Sequence, residues 1–189
     1  MSRAEATREA IFDAALVCFA ERGFHGTSIA DIAQRAAIGQ GTIYRHFESK
    51  EALGRALYLR TKHRSGEYLA ALDVPGDPRG AFRALFLGSV AWARTNPQAA
   101  SFLELHHHQV FLDDASVREG NLVHQVTEAW FEGAKAAGVV KALPTPVLMA
   151  VVFGIYVHLL RSWVQGELEL EDAVAVAAEQ CAWDAIAAR

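Results

Sequence analysis

The stretch "TSIADIAQRAAIGQGTIYRHFESK", residues 27 to 50, decides how this chain is read. Thr27 or Ser28 can cap a helix, and Asp31 stands three residues after Ser28, the spacing of a capping box. Ile29, Ile32 and Ala33 recur at helical spacing and predict a short helix with one apolar face. The segment "AAIG", 36 to 39, breaks that helix. A second short helix is predicted from Gln40 to about Phe47, and Ser49 caps a longer one carrying Leu53, Ala56 and Leu57. Two short helices joined by a tight turn, the second with polar side chains outward, make a helix-turn-helix. Ile29, Ile32, Ala33, Ile38 and Ile43 hold the pair at a steep angle, with Ala33 and Ala36 small where the helices approach. Gln40, Gly41, Thr42, Tyr44, Arg45 and His46 are left to face outward. Glutamine is a good bidentate partner for adenine in the major groove. Tyr, His, Thr and Lys are common phosphate ligands that fix register without reading sequence.

The rest of the chain also reads as helix. Ile11, Phe12, Ala15, Leu16 and Phe19 form the apolar face of a first helix that Gly23 stops. Asp77-Pro78, Asn96-Pro97 and Thr145-Pro146 each set a capping residue before a proline, opening helices near 78–95, 97–110 and 146–165. Asp114 opens another with Val123, Val126 and Trp130 in register, ended by Gly138. A last helix over about 170–187 carries Leu170, Val174, Ala177 and Cys181 on one face. No alternating strand pattern, repeat or low-complexity linker interrupts this, so the fold class is all-α with about nine helices. The segment "DVPGDPRG", 73 to 80, is the expected boundary between a small N-terminal bundle and a larger C-terminal one.

Charge divides in the same way. The chain of 189 residues carries a formal net charge of -4. Residues 1–64 hold ten Lys/Arg against seven Asp/Glu, and residues 65–189 hold eight against fifteen, so +3 and -7 sum to the whole. Such asymmetry suggests a division of labour, with the basic part suited to an anionic partner. The start of the chain has no signal-peptide pattern, so a cytoplasmic protein is expected. The longest apolar run, Val147 to Val157, is too short to span a bilayer and reads as a buried helix, so no membrane partner is expected. Cys18 and Cys181 lie far apart and read as small hydrophobes.

"REAIFDAALVCFAERGF" followed by "TSIADIAQRAAIGQGTIYRHFESKEAL" closely resembles the N-terminal domain of the TetR/AcrR family of transcriptional regulators over roughly residues 8–57. The resemblance implies an N-terminal three-helix helix-turn-helix DNA-binding domain over 1–50, a connecting helix over 51–72, and a helical ligand-binding and dimerisation domain over 73–189. Carried over by position, Gln40, Gly41 and Thr42 lie closest to bases, with Arg45 able to reach a base or a phosphate. Thr27, Tyr44, His46 and Lys50 contact phosphates, and Phe47 anchors the recognition helix on the fourth helix. Two positions depart from the family pattern. Ala37 stands where glycine is usual at the turn, and Gly39 stands where Ser or Thr often caps the recognition helix.

One recognition helix reads few base pairs; two, about one helical turn apart, read a palindrome, which requires a homodimer on a double-stranded operator. The helix over 146–165 is apolar on all sides and so is expected to be buried on all sides. With the alanine-rich last helix it supplies the expected interface: Val157, Leu160, Arg161, Val164, Val174, Ala177 and Cys181. The resemblance further implies a small-molecule effector, apolar or aromatic, with Phe86, Trp92, Phe102, His106, Trp130 and Phe153 as lining residues. No cofactor and no metal are expected. The run "HHH", His106 to His108, supports one competing reading, a metal-dependent hydrolase. It is weakened because no HExxH, nucleophile elbow or paired carboxylates accompany it. A sequence-tolerant architectural DNA binder is disfavoured by the modest positive charge.

Overall fold

The computed structural model describes residues 2–114, 116 and 122–188. Among these residues there are nine α-helices: α1 Arg3–Arg22, α2 Ile29–Arg35, α3 Gln40–His46, α4 Lys50–Ala70, α5 Pro78–Thr95, α6 Pro97–Leu105, α7 Leu122–Ala136, α8 Thr145–Val164 and α9 Asp172–Ile186. The only extended pairing among them is an isolated bridge between Val140 and Ala187.

The chain forms two compact units that interleave in sequence: residues 1–64 with 98–120, and residues 65–97 with 121–189. The contiguous division expected at 50 and 72 does not follow these contacts, and the reason is aromatic. Phe102 stacks on Phe19 at 6.1 Å and Phe111 lies 4.9 Å from Phe24, which binds the segment after Gln98 to the first unit.

In the first unit, local chemistry sets the helix boundaries. Ser2 and Glu5 close a capping box on α1, and Gly23 ends that helix at φ 69°. The Ser28–Asp31 box is present: the Ser28 hydroxyl accepts from the Asp31 amide at 3.1 Å, and the Asp31 carboxylate accepts from the Ser28 amide at 2.7 Å. The Ser28 hydroxyl also donates to the Asp31 carboxylate at 2.6 Å; that bond first, then the one from the Ser28 amide, helped by Arg22, hold the Asp31 carboxyl below the usual range. Ile11, Ala15, Cys18, Ile32, Ile43, Leu53 and Leu57 are fully enclosed in the core of this unit.

Ala37 closes the turn between α2 and α3 at φ 53°, the single positive φ outside glycine among the described residues. A side chain there costs about 1–2 kcal/mol. Ala37→Gly relieves it, less the unfolded-chain entropy that glycine adds, for a net gain of about 0.5–1 kcal/mol. A denaturant titration with unchanged slope checks this.

In the second unit, Phe82 is the hub. Its ring lies 5.9 Å from Phe86, 6.0 Å from Trp130 and 5.3 Å from Trp183. α9 packs on α5 and α8. Its inner stripe is Ala175, Glu179, Ala182 and Ile186, whereas Ala177 and Cys181 face out. Val174, Ala177 and Cys181, expected on one face and at an interface, thus lie away from this inner stripe, and alanine on both sides of the helix marks neither face. α8 buries Leu148, Met149, Tyr156 and Leu160 but leaves Val147, Val151, Phe153 and Val164 exposed, so it is not covered on all sides in one chain. By length and composition α8 is long and apolar enough to cross a membrane, as core helices of soluble proteins also are.

Candidate nucleic-acid interface

α3 presents the polar face that the residue pattern predicts. Ile43 is its one buried residue, seated between the helices of the turn. Gln40, Gly41, Tyr44 and Arg45 are exposed, and Thr42 and His46 are half-buried. Tyr44 is 54% exposed, high for a ring of this size without a partner. The Arg45 guanidinium donates to the Thr42 hydroxyl at 3.1 Å, which aligns it along the helix surface. Gly39 caps α3 with no side-chain bond, and a Cβ there would meet nothing within 4 Å. Phe47 is buried against Phe12 of α1 at 5.3 Å, so a ring of the first helix fixes the end of α3.

Two of the expected phosphate ligands are engaged inside the protein. Thr27 is 2% exposed, and its hydroxyl lies 2.9 Å from the carbonyls of both Cys18 and Gly23, so its one hydrogen is held within the fold. That corrects its expected role as a side-chain phosphate contact: it braces the loop before α2. The Lys50 ammonium donates to the carbonyls of Phe24 and Thr27, each at 2.9 Å, and sits 4.2 Å above the Phe24 ring. It remains half-exposed, and a lysine has three donors, so one stays available outward. One arginine that pattern reading did not single out borders this face: exposed Arg8 of α1 lies 5.2 Å above the Phe47 ring and 5.5 Å from that of Phe12.

The histidine run lies beyond α6, which ends at Leu105 and not near 110, so the expected helical spacing does not apply to it. His106 Nε2 sits 3.0 Å from the Ala20 carbonyl. His108 Nε2 faces the Leu103 carbonyl at 3.3 Å, and its ring packs among Tyr58, Phe102 and Phe111. Its Nδ1 is buried without a partner among the described residues. No three His, Cys, Asp or Glu side chains among the described residues converge as a metal set. Of the run, His106 and His108 are thus engaged in packing and backbone contacts, while His107 is exposed. Asp113 caps the next turn through the Ser116 amide at 2.8 Å, one residue before the expected Asp114. The helix expected from Asp114 to Gly138 corresponds to α7 over Leu122–Ala136; its start, at 115 and 117–121, lies outside the described residues.

Burial pushes the His108 imidazole down to about 4. A histidine with a depressed folded value stabilises the fold fully above its unfolded value near 6.5, and that contribution is lost as pH falls toward the folded value. The chain is expected to lose about 2 kcal/mol between pH 7.5 and pH 5 through this group. His108→Phe, which keeps the ring packing, removes that part of the slope in denaturant titrations at the two pH values.

The remaining expected sites divide between the units. Phe102 and His106 belong to the first, where both pack on α1, and not to an aromatic lining of the second. Phe86 and Trp92 are core residues of the second and Trp130 is half-buried, whereas Phe153 is 38% exposed on the surface of α8. Of the expected interface residues, Arg161, Val164, Ala177 and Cys181 are exposed and Val157 and Val174 half-buried. Leu160 is 1% exposed and packs within its own chain, which removes it from any outer face.

Comparison with known proteins decides the family. The model of "Bacterial regulatory proteins, tetR family" matches residues 11–57, and that of "Tetracyclin repressor-like, C-terminal domain" matches residues 69–188. The chain belongs to the TetR family. Among its relatives, the HTH-type transcriptional regulator UidR of Escherichia coli K12 is 35% identical over 123 residues, covering 56% of this chain and 61% of that one. The protein named "Probable acrEF/envCD operon repressor" from the same strain is 25% identical over 175 residues, covering 86% and 79%. A TetR family transcription regulator from Marinobacter aquaeolei VT8 shares the fold, with a TM-score of 0.84 at 24% identity over 99% of this chain and 98% of that one. α2 and α3 of this TetR-family chain form the helix-turn-helix within the residues that the family model matches.

Proposed function

We propose that the chain is a dimeric, sequence-specific repressor released from a palindromic operator by a small apolar or aromatic effector. The observation that carries this reading is the outward face of α3, where Gln40, Gly41, Tyr44 and Arg45 are exposed on a helix whose opposite side is locked by Ile43. On this reading Gln40, Gly41, Thr42 and Arg45 approach base edges, and Tyr44, His46 and the remaining donor of Lys50 hold phosphates. On this reading residues 1–50 read DNA, and the second unit, 65–97 with 121–189, binds effector and partner. The protein works in the cytoplasm, where its operator is, and has no catalytic role.

The dimer is supported by the open side of α8. Val147, Val151 and Val164 are exposed there, Gly154 has nothing within 4 Å of its Cβ position, and α9 offers Ala177 and Cys181 beside it. Small residues let two such helix pairs approach closely. The effector site is supported by the aromatic cluster of Phe82, Phe86, Trp130 and Trp183, which suits an apolar guest. The effector acts by its differential affinity for two helix arrangements that space the recognition helices differently.

Val151→Glu tests the dimer. Two carboxylates placed in an apolar interface are expected to leave a folded monomer in sedimentation experiments, and binding to a selected duplex falls with it. A variant that stays dimeric and binds normally removes α8 from the interface.

A further inference from the structure

The described arginines of the first unit fall into two groups. Arg22, Arg35, Arg55, Arg60 and Arg64 each face a carboxylate: Asp31, Glu21, Asp113, Glu9 with Asp13, and Glu9 again. Arg3, Arg8 and Arg45 have no carboxylate partner among the described residues. Arg3 has no ring beneath it either, and Arg45 is already on the recognition helix. Arg8 is different. It is exposed on α1, yet its guanidinium is held over two rings, Phe12 and Phe47. The acidic residues nearest in sequence are committed elsewhere: Glu5 caps its own helix through Ser2, and Glu9 binds Arg60 and Arg64.

A cation–π contact engages no acceptor, so the N–H fork of a guanidinium held over rings stays available. A fork without a carboxylate, oriented by a rigid platform, is matched by the oxygens of a phosphate. The platform is part of the reading head. Phe47 follows His46 directly at the end of α3, the two rings are 6.4 Å apart, and Phe12 fixes Phe47 from behind. We infer that Arg8 is a DNA-backbone ligand contributed by α1, gripping a phosphate next to the one held by His46. This rests on the regulator reading and extends its contact surface beyond the helix-turn-helix.

The test uses the full chain and two duplexes, the consensus it selects from a random pool and a scrambled duplex of equal length. Arg8→Met keeps the stem over the rings and removes the fork and charge; Arg8→Lys restores the charge. Arg8→Met is expected to weaken both duplexes by roughly tenfold alike, because a phosphate contact carries no sequence information. The slope of log affinity against log salt should become shallower by about 0.9 for each chain on the DNA. Melting temperature should not change, and Arg8→Lys should recover most of the salt slope. Wild-type affinity and slope in Arg8→Met would overturn the inference while leaving the regulator reading intact. A weakening that comes with a lowered melting temperature and no rescue by lysine also overturns it, since the residue would then be only a brace. A wild-type chain that binds neither duplex at low salt sinks the regulator reading itself, and this inference with it.

Discussion

Replacing Tyr44 and His46 together by alanine is expected to weaken binding to the selected operator more than a hundredfold while the chain stays folded. Hydrogen bonds to a charged group are worth about 1.5 kcal/mol each at the low end, so two lost contacts in one protomer reach about 3 kcal/mol. That is already more than a hundredfold, and the second protomer of a dimer adds to it. The fold is spared because Tyr44 is exposed and His46 touches only the edge of the platform at Phe47. Gln40→Ala should behave differently, losing about 1–3 kcal/mol on the consensus and much less on other sequences. Titration of both variants against consensus and scrambled duplexes separates phosphate grip from base reading.

The second large effect lies away from DNA. Glu179 is fully buried on α9, where both carboxylate oxygens bind Arg79 and one also accepts from Arg83 at 3.0 Å. Arg79 in turn lies 4.9 Å over the Trp183 ring. Arg79→Met leaves a buried carboxylate with one oxygen unpaired. Breaking a buried pair costs about 3–5 kcal/mol, and the partial exposure of both arginines lowers that here to about 2–4. A loss of this size lowers Tm by about 6–12 °C for a chain of this length. Replacing all three charges together, Arg79→Met, Arg83→Met and Glu179→Leu, should recover most of it, because no unpaired charge then remains inside. Calorimetry on the single and triple variants checks both statements; a triple variant as unstable as the single one would mean that the network is not the cause. By contrast, the exposed Arg94–Asp172 pair is expected to contribute little.

What could be read from sequence follows from how strongly each local signal is coded. The Ser28–Asp31 box, the Asp77-Pro78 start and the spacing of Ile29, Ile32 and Ile43 are short-range features, and they appear where expected. The left-handed turn at Ala37 was legible only through the family resemblance, since alanine itself carries no signal for it. The failures are long-range. Thr27 has the same hydroxyl whether it faces a phosphate or the Cys18 carbonyl, and only folding decides. α6 stops at Leu105 without glycine or proline, because His106 and Phe111 are drawn back onto α1 and the loop after it. α9 hides its inner face among alanines, and Glu179 reads from sequence as a solvent residue until its two arginines arrive from α5. Arg8 carries no local signal at all; its position over Phe47 brings together residues of two helices.

The most direct measurement is selection of bound duplexes from a random pool by the purified full-length chain. A palindromic consensus, with half-sites about one helical turn apart and lost in the Tyr44→Ala, His46→Ala variant, is the expected result. A folded chain that enriches no sequence at low salt would contradict the account, since α3 would then present its polar face to something other than DNA.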